Sequence, residues 1–234
     1  PPFHSYHRLP VANIITSRGC PGACTFCDRS ISGRTVRYHS VDYIMEMIEH
    51  LTTVYAIREI SIKDDMFITP KSRVMEFCRE LKNRNIDVTW SCNARVNSVN
   101  DELLRAMKDA GCWMISYGIE SGSDHMLKKM MKGVTKEQIV RALKLTRMQG
   151  IVSKGFFMIG IPEETEKSLQ ETLEFMKSIP LDEMNVNFFT PFPGSKLYNE
   201  VLAEGHKPDF AAMSMQCITY VPKELTSTVM KRYH

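Results

Sequence analysis

The chain has 234 residues, 43 % of them hydrophobic, enough apolar content for one large α/β domain with a full core. Lys and Arg number 30 against 27 Asp and Glu, a net charge of +3 that gives no whole-chain attraction to nucleic acid or an anionic membrane. Seven cysteines, an odd count behind a polar start, argue against a disulfide framework and for a reducing, cytoplasmic setting, and no apolar run reaches the ~18 residues of a membrane span.

Apolar runs alternate with helical patterns. Strands are predicted at 11–16, 59–63, 87–92, 112–120, 153–160 and 184–190. The first helix follows Ser40 as N-cap, with Val41, Ile44, Met45, Ile48 and Leu51 on one face. The second carries Val74, Phe77, Cys78 and Leu81 as a stripe, and the third runs from Asn100 to Ala110 and stops at Gly111. The fourth starts at Thr135, with Gln138 three residues on as a capping box, and ends at Gly150. The fifth follows Thr165 with Leu169, Leu173 and Met176 on its buried side, and a short sixth follows Pro193-Gly194-Ser195. Six strand-then-helix units predict parallel strands, in a barrel-like wheel or a doubly wound sheet, and periodicity leaves those two open. The expected organisation is a lead-in over 1–10, one domain over 11–205 and a loose tail over 206–234 that begins a further segment. The opening Pro1-Pro2 without a Met, and the helical pattern running to His234, add the expectation of a piece of a longer protein.

In parallel barrels the active site lies at the C-terminal ends of the strands, and every predicted strand here ends in something polar or conformationally special. After the first comes Cys20-Pro21-Gly22-Ala23-Cys24-Thr25-Phe26-Cys27, a C-x3-C-x2-C loop. Three thiolates on one loop can hold three irons of a cubane cluster and leave the fourth iron open to a small molecule. A zinc site would normally add a second Cys or His pair, and the next cysteine, Cys78, falls in a helix stripe. Asp64-Asp65 follow the second strand, Asn93 and Arg95 the third, Glu120 the fourth, Pro162-Glu163-Glu164 the fifth and Pro191-Phe192-Pro193-Gly194 the sixth.

Each has a plain reading too: solvated acids for Asp64, Asp65 and Glu120, tight turns for Gly118 and Gly122, strand and helix punctuation for Pro191 to Gly194. Cys78, Cys92 and Cys112 are expected in the core, the sixteen methionines as core filler, and His4 and His7 on the surface. Arg18, Arg29, Arg34 and Arg37 gather near the cysteine loop, either to steer anionic groups or as a solvated face.

A C-x3-C-x2-C loop with an aromatic before its last cysteine is the signature of the radical S-adenosylmethionine (SAM) enzymes, which this chain resembles from about Leu9 to Glu204. The resemblance implies a partial (β/α)6 TIM-like barrel, a [4Fe–4S] cluster on Cys20, Cys24 and Cys27, and SAM bound at the open iron with Phe26 against its adenine. Reduction would split the sulfonium and release a 5′-deoxyadenosyl radical. Asp64 or Asp65 would meet the SAM ammonium, Glu120 its ribose or carboxylate, and Met158 or Ile159 the adenine. Many radical SAM enzymes have Gly-Gly-Glu where this chain has Asp64-Asp65. The runs Thr16-Ser17-Arg18-Gly19-Cys20-Pro21, Asp64-Asp65-Met66-Phe67, Gly118-Ile119-Glu120-Ser121-Gly122 and Pro191-Phe192-Pro193-Gly194 are most similar to the branch that carries a cobalamin-binding domain ahead of the radical core.

That kinship implies methylation or remodelling of an unactivated centre, with cobalamin held outside these residues. A radical SAM methylthiotransferase, similar in its core and in its P-x-P-G-[ST] turn, is the second reading. A non-enzymatic iron–sulfur or zinc protein is the third. The expected partners are a small-molecule or peptide substrate and a reductant such as flavodoxin or ferredoxin, with neither membrane nor nucleic acid expected.

Overall fold

The structure, a computed structural model, describes residues 6–28, 30, 31 and 33–234. β1 (Val11–Ile14) leads into an antiparallel ribbon of β2 (Ser17–Arg18) and β3 (Arg37–Tyr38), whose two strands bracket the cysteine loop. Next come α1 (Val41–Tyr55), β4 (Glu59–Ile62), α2 (Lys71–Asn83), β5 (Thr89–Ala94), α3 (Asp101–Asp109) and β6 (Cys112–Glu120). Two helices, α4 (Asp124–Lys129) and α5 (Lys136–Met148), precede β7 (Val152–Ile159). α6 (Glu166–Ser178), β8 (Glu183–Phe188), α7 (Lys196–Ala203) and α8 (Ser227–Tyr233) complete the chain.

The main sheet is parallel, in the order β1-β4-β5-β6-β7-β8. Each strand therefore lies beside the next sheet strand in sequence. A doubly wound sheet reverses its order part-way; this one does not, and the wheel is a partial (β/α)6 barrel. Among the described residues β8 and β1 do not pair, so the barrel is open on that side.

The predicted helix signals act as read. Ser40 caps α1 on Tyr43 N, Asn100 caps α3 on Leu103 N, and Thr135 with Gln138 forms the capping box of α5. Gly111 (φ 91°) and Gly150 (φ 64°) follow α3 and α5 in the left-handed conformation that ends helices. Periodicity signals neither the ribbon nor α4. Two-residue strands and a six-residue helix are too short to show a period.

Trp90, Phe67 and Phe77 pack edge-on in the main core at centroid separations of 5.3–5.6 Å. Cys78, Cys92 and Cys112 are buried in that cluster, as are Met45, Met107, Met126 and Met130. Met148 and Met215 are exposed, so methionine is not uniformly core filler. The end of the barrel opposite the cysteine loop is covered by His7 and Arg8. There Glu59 is fully buried and accepts hydrogen bonds from His7 N, Arg8 N and Trp113 Nε1. His7, exposed as expected, stacks on Trp113, while His4 lies outside the described residues.

Residues 206–234 run back over β8: Phe188 N donates to Met215 O at 2.9 Å, and Leu225 and Met230 join Ile159, Leu169 and Phe188 in a second apolar cluster. Among the described residues no helix is long and apolar enough to cross a membrane.

Candidate active site

The ribbon fixes both ends of the cysteine loop over the C-terminal ends of the sheet strands. Gly19 takes φ 103°, and Cys20 N donates to Gly33 O to close the neck of the loop. Cys20, Cys24 and Cys27 all line one cavity of about 320 Å³. Gly22 leaves room between them: a Cβ there would sit 3.2 Å from Cys20 Sγ, 3.9 Å from Cys24 Sγ and 3.2 Å from an Arg95 guanidinium nitrogen. The hydrogen bond from Cys27, with Lys132 and Arg95 nearby, holds the Cys24 thiol down to about 5, while the same bond and burial push Cys27 up. Arg95 approaches Cys24 Sγ at 3.6 Å and also donates to Lys132 O. Among the described residues no three His, Cys, Asp or Glu side chains close on a single-ion point. Soft thiolate donors around a glycine-lined space fit an iron–sulfur cluster.

The Asp64-Asp65 pair lies just beyond β4, and its two acids go to different places. Asp64 is fully buried and accepts from Thr16 N and Thr16 Oγ1, each at 2.5 Å, and from Ser17 Oγ at 2.6 Å. Arg73 completes this knot by donating to Thr16 O and Thr16 Oγ1. Asp64 thereby anchors the stem of the cysteine loop and does not line the cavity. Asp65 is exposed and lines it.

Glu120, at the end of β6, also lines the cavity and pairs with Lys132 Nζ at 2.6 Å. Its backbone takes φ 72°, a left-handed conformation that non-glycine residues seldom adopt. Gly118 makes space for the pair, since a Cβ there would lie 2.6 Å from Glu120 Oε1 and 2.7 Å from Lys132 Nζ. The Lys132 ammonium sits 5.8 Å from the centroid of the Phe26 ring, another wall of the cavity.

On β7 the pleat decides which residues face in. Phe156 lines the cavity and Met158 shares its face, packed on the main core without lining the cavity. Ile159, the alternative to Met158 as the adenine contact, points the other way, into the second cluster with Leu169 and Phe188. Beyond the strand, buried Glu164 accepts from Gly160 N and Ile161 N, and burial pushes its carboxyl up to about 7. Arg18 and Arg37 face each other across the ribbon, exposed like Arg34; Arg29 lies outside the described residues.

The family model of the radical SAM superfamily matches residues 14–176, which span the cysteine loop and the strands that close the cavity. The chain belongs to the radical SAM superfamily. Its fold implies a [4Fe–4S] cluster and SAM. An uncharacterized methyltransferase of Pyrococcus horikoshii is 35 % identical over 196 residues, covering 83 % of this chain and 43 % of that protein. A protein of Methanocaldococcus jannaschii, named provisionally as a methylthiotransferase, is 32 % identical over 205 residues, 81 % of this chain and 44 % of that one. The solved cobalamin-dependent SAM radical enzyme OxsB, with aqua-cobalamin bound, matches in fold with a TM-score of 0.77 at 22 % identity, over 90 % of this chain and 39 % of that one. This radical SAM chain thus spans less than half the length of each of these three relatives.

Lys132 is among the cavity residues to which the sequence alone assigns nothing, with Asp28 and Ser116, and Phe156 is one to which it gives no contact of its own. Lys132 is the last lysine of Lys128-Lys129-Met130-Met131-Lys132 and reads as part of a solvated run. Phe156 stands beside Phe157, and only the strand's period of two separates an inward from an outward ring.

Proposed function

We propose that this chain is the radical core of a SAM-dependent methyltransferase whose cobalamin domain lies outside these residues. The observation that carries the reading is the convergence, in one cavity, of three thiols with Asp65, Arg95 and the Glu120–Lys132 pair between two aromatic rings. Cys20, Cys24 and Cys27 would hold the cluster, which when bound supplies the electron for reductive cleavage of SAM. Asp65 is the acid free to accept from the SAM ammonium, and Lys132, oriented by Glu120, is the cation suited to its carboxylate. Phe26 and Phe156, both walls of the cavity, would enclose the adenine, and Arg95 would balance the thiolate charge beside Cys24. The proposed division keeps 11–205 as the radical core and 206–234 as the start of a further segment, with the lead-in before them.

Methyl transfer is supported by the name of the Pyrococcus relative, and the cobalamin domain by the likeness to a cobalamin-bound fold. A small-molecule or peptide substrate and a flavodoxin- or ferredoxin-like reductant complete the scheme. The second reading, a methylthiotransferase, draws on the name of the Methanocaldococcus relative. Anaerobic reconstitution with iron and sulfide, reduction with dithionite and addition of SAM test the core chemistry. The wild type should release 5′-deoxyadenosine and Cys24→Ala should not; equal amounts from both would refute the cluster assignment. Retention of cobalamin by the full-length protein separates the methyltransferase from the methylthiotransferase.

A further inference from the structure

Thr25, buried between Cys24 and Cys27, is held from two sides by helix ends. Its N–H donates to Met130 O at 3.0 Å and its Oγ1 to Lys129 O at 3.1 Å, both carbonyls at the C-terminal end of α4. Its carbonyl accepts from Leu197 N at 3.0 Å, in the first turn of α7. Helix ends leave such groups without partners inside the helix, so Thr25 satisfies an end of each helix and is fixed by both.

One residue beyond Cys27, Asp28 packs its carboxylate against Gly194, in the turn that opens α7. A Cβ at Gly194 would collide with Asp28 Oδ1 and lie 2.8 Å from its Cγ. The two helices are also tied to each other. Lys129 Nζ reaches Glu200 Oε1 of α7 at 2.5 Å and Glu163 Oε1 at 2.6 Å. Just past α4, after Met131 (φ 49°), the chain delivers Lys132 to Glu120. Gly194, in the turn between β8 and α7, therefore also touches the cysteine loop.

We infer that Thr25 and Gly194 are positioning residues for the cluster, the ends of α4 and α7 holding the Cys24–Cys27 segment, with two of the three iron ligands, at the spacing that the cluster requires. This rests on the cluster reading above. The test compares Thr25→Val, Thr25→Ser, Gly194→Ala and Gly205→Ala in the full-length protein, reconstituted anaerobically. Gly205 is a matched control: its φ of 87° stands beside 88° at Gly194, and an added Cβ meets nothing within 4 Å. Iron and sulfide bound per chain and the electron paramagnetic resonance signal of the reduced protein are the readouts, with thermal midpoints alongside.

Gly194→Ala and Thr25→Val should bind severalfold less cluster or shift its signal. Thr25→Ser and Gly205→Ala should match the wild type in both, even where Gly205→Ala lowers the midpoint through backbone strain. Gly194→Ala with the iron content and signal of Gly205→Ala, or Thr25→Val indistinguishable from Thr25→Ser, would overturn the inference. Should Gly194→Ala not fold, the two Thr25 variants decide alone. A wild-type chain that takes up no cluster would sink the cluster reading itself, and this inference with it.

Discussion

Lys132 and Glu120 form an ion pair at 2.6 Å with side chains only 7 % and 10 % exposed, at the mouth of a cavity that also holds three thiols. Charges so far out of water persist because each is the other's partner. Removing one leaves the other buried and uncompensated, at a cost of about 3–5 kcal/mol. Lys132→Met and Glu120→Gln should each lower stability by an amount in that range or below it, since the cavity admits some water. The double variant should recover most of the loss. SAM affinity should stay impaired in all three, because the cation is absent or misdirected. Chemical denaturation together with SAM titration checks both halves, and full SAM affinity in the double variant would remove Lys132 from the binding site.

Asp64 and Asp65 should separate cleanly. Asp64→Ala strips three hydrogen bonds from Thr16 and Ser17 and the nearby carboxylate from Arg73, so a loss on the order of 3 kcal/mol is expected. Asp65→Ala changes an exposed side chain and should stay within about 0.5 kcal/mol. Its effect should fall on SAM binding, with a drop of roughly tenfold if one charge-assisted contact is lost. Isothermal titration against denaturation midpoints distinguishes them, and a SAM affinity unchanged in Asp65→Ala would make that acid a turn residue.

The two faces of β7 give a second contrast. Ile159→Ala opens a void in the cluster of Leu169, Phe188 and Met230 and should cost about 2–4 kcal/mol while leaving SAM affinity as it was. Phe156→Ala should do the reverse, weakening SAM binding with a smaller stability loss. Equal effects of the two on SAM affinity would contradict the assignment of faces.

Glu164 predicts a pH dependence of stability. Its carboxyl is raised from 4.5 to about 7 by burial, against two backbone N–H donors that favour its charged form. The folded chain thus keeps a proton that the unfolded chain releases. This contribution is fully present below 4.5, and is lost as the pH rises from there towards 7. Glu164→Gln, which keeps an accepting oxygen without a charge, should flatten that slope and gain up to ~3 kcal/mol relative to wild type above neutrality. Parallel denaturation curves at acid and neutral pH would show it; an unchanged slope would rule out Glu164 as the source.

Much of this was legible in the residues. Ser40, Asn100 and Thr135 announce their helices through capping chemistry confined to a few neighbours, and Cys20, Cys24 and Cys27 announce the site through spacing alone. What the sequence could not show depends on which way a residue turns. Asp64 and Asp65 are adjacent and chemically alike, and only the position of Thr16 and Ser17 makes one an anchor. Met158 and Ile159 likewise differ by one step of the pleat. Lys132 joins the cavity because a short helix, with no periodic stripe of its own, ends beside Glu120 and Thr25. The role of Gly194 is equally non-local, since its neighbour Asp28 is far from it in sequence and meets it only in the fold.

The proposed function stands on three thiols that hold a cluster with one iron open to SAM. The most direct test is the electron paramagnetic resonance spectrum of the reduced, reconstituted protein before and after SAM is added. The account predicts an iron–sulfur signal that changes on adding SAM in the wild type and is lost in Cys24→Ala. A strong signal indifferent to SAM would mean a cluster without an open iron, and the enzymatic reading of this cavity would fall.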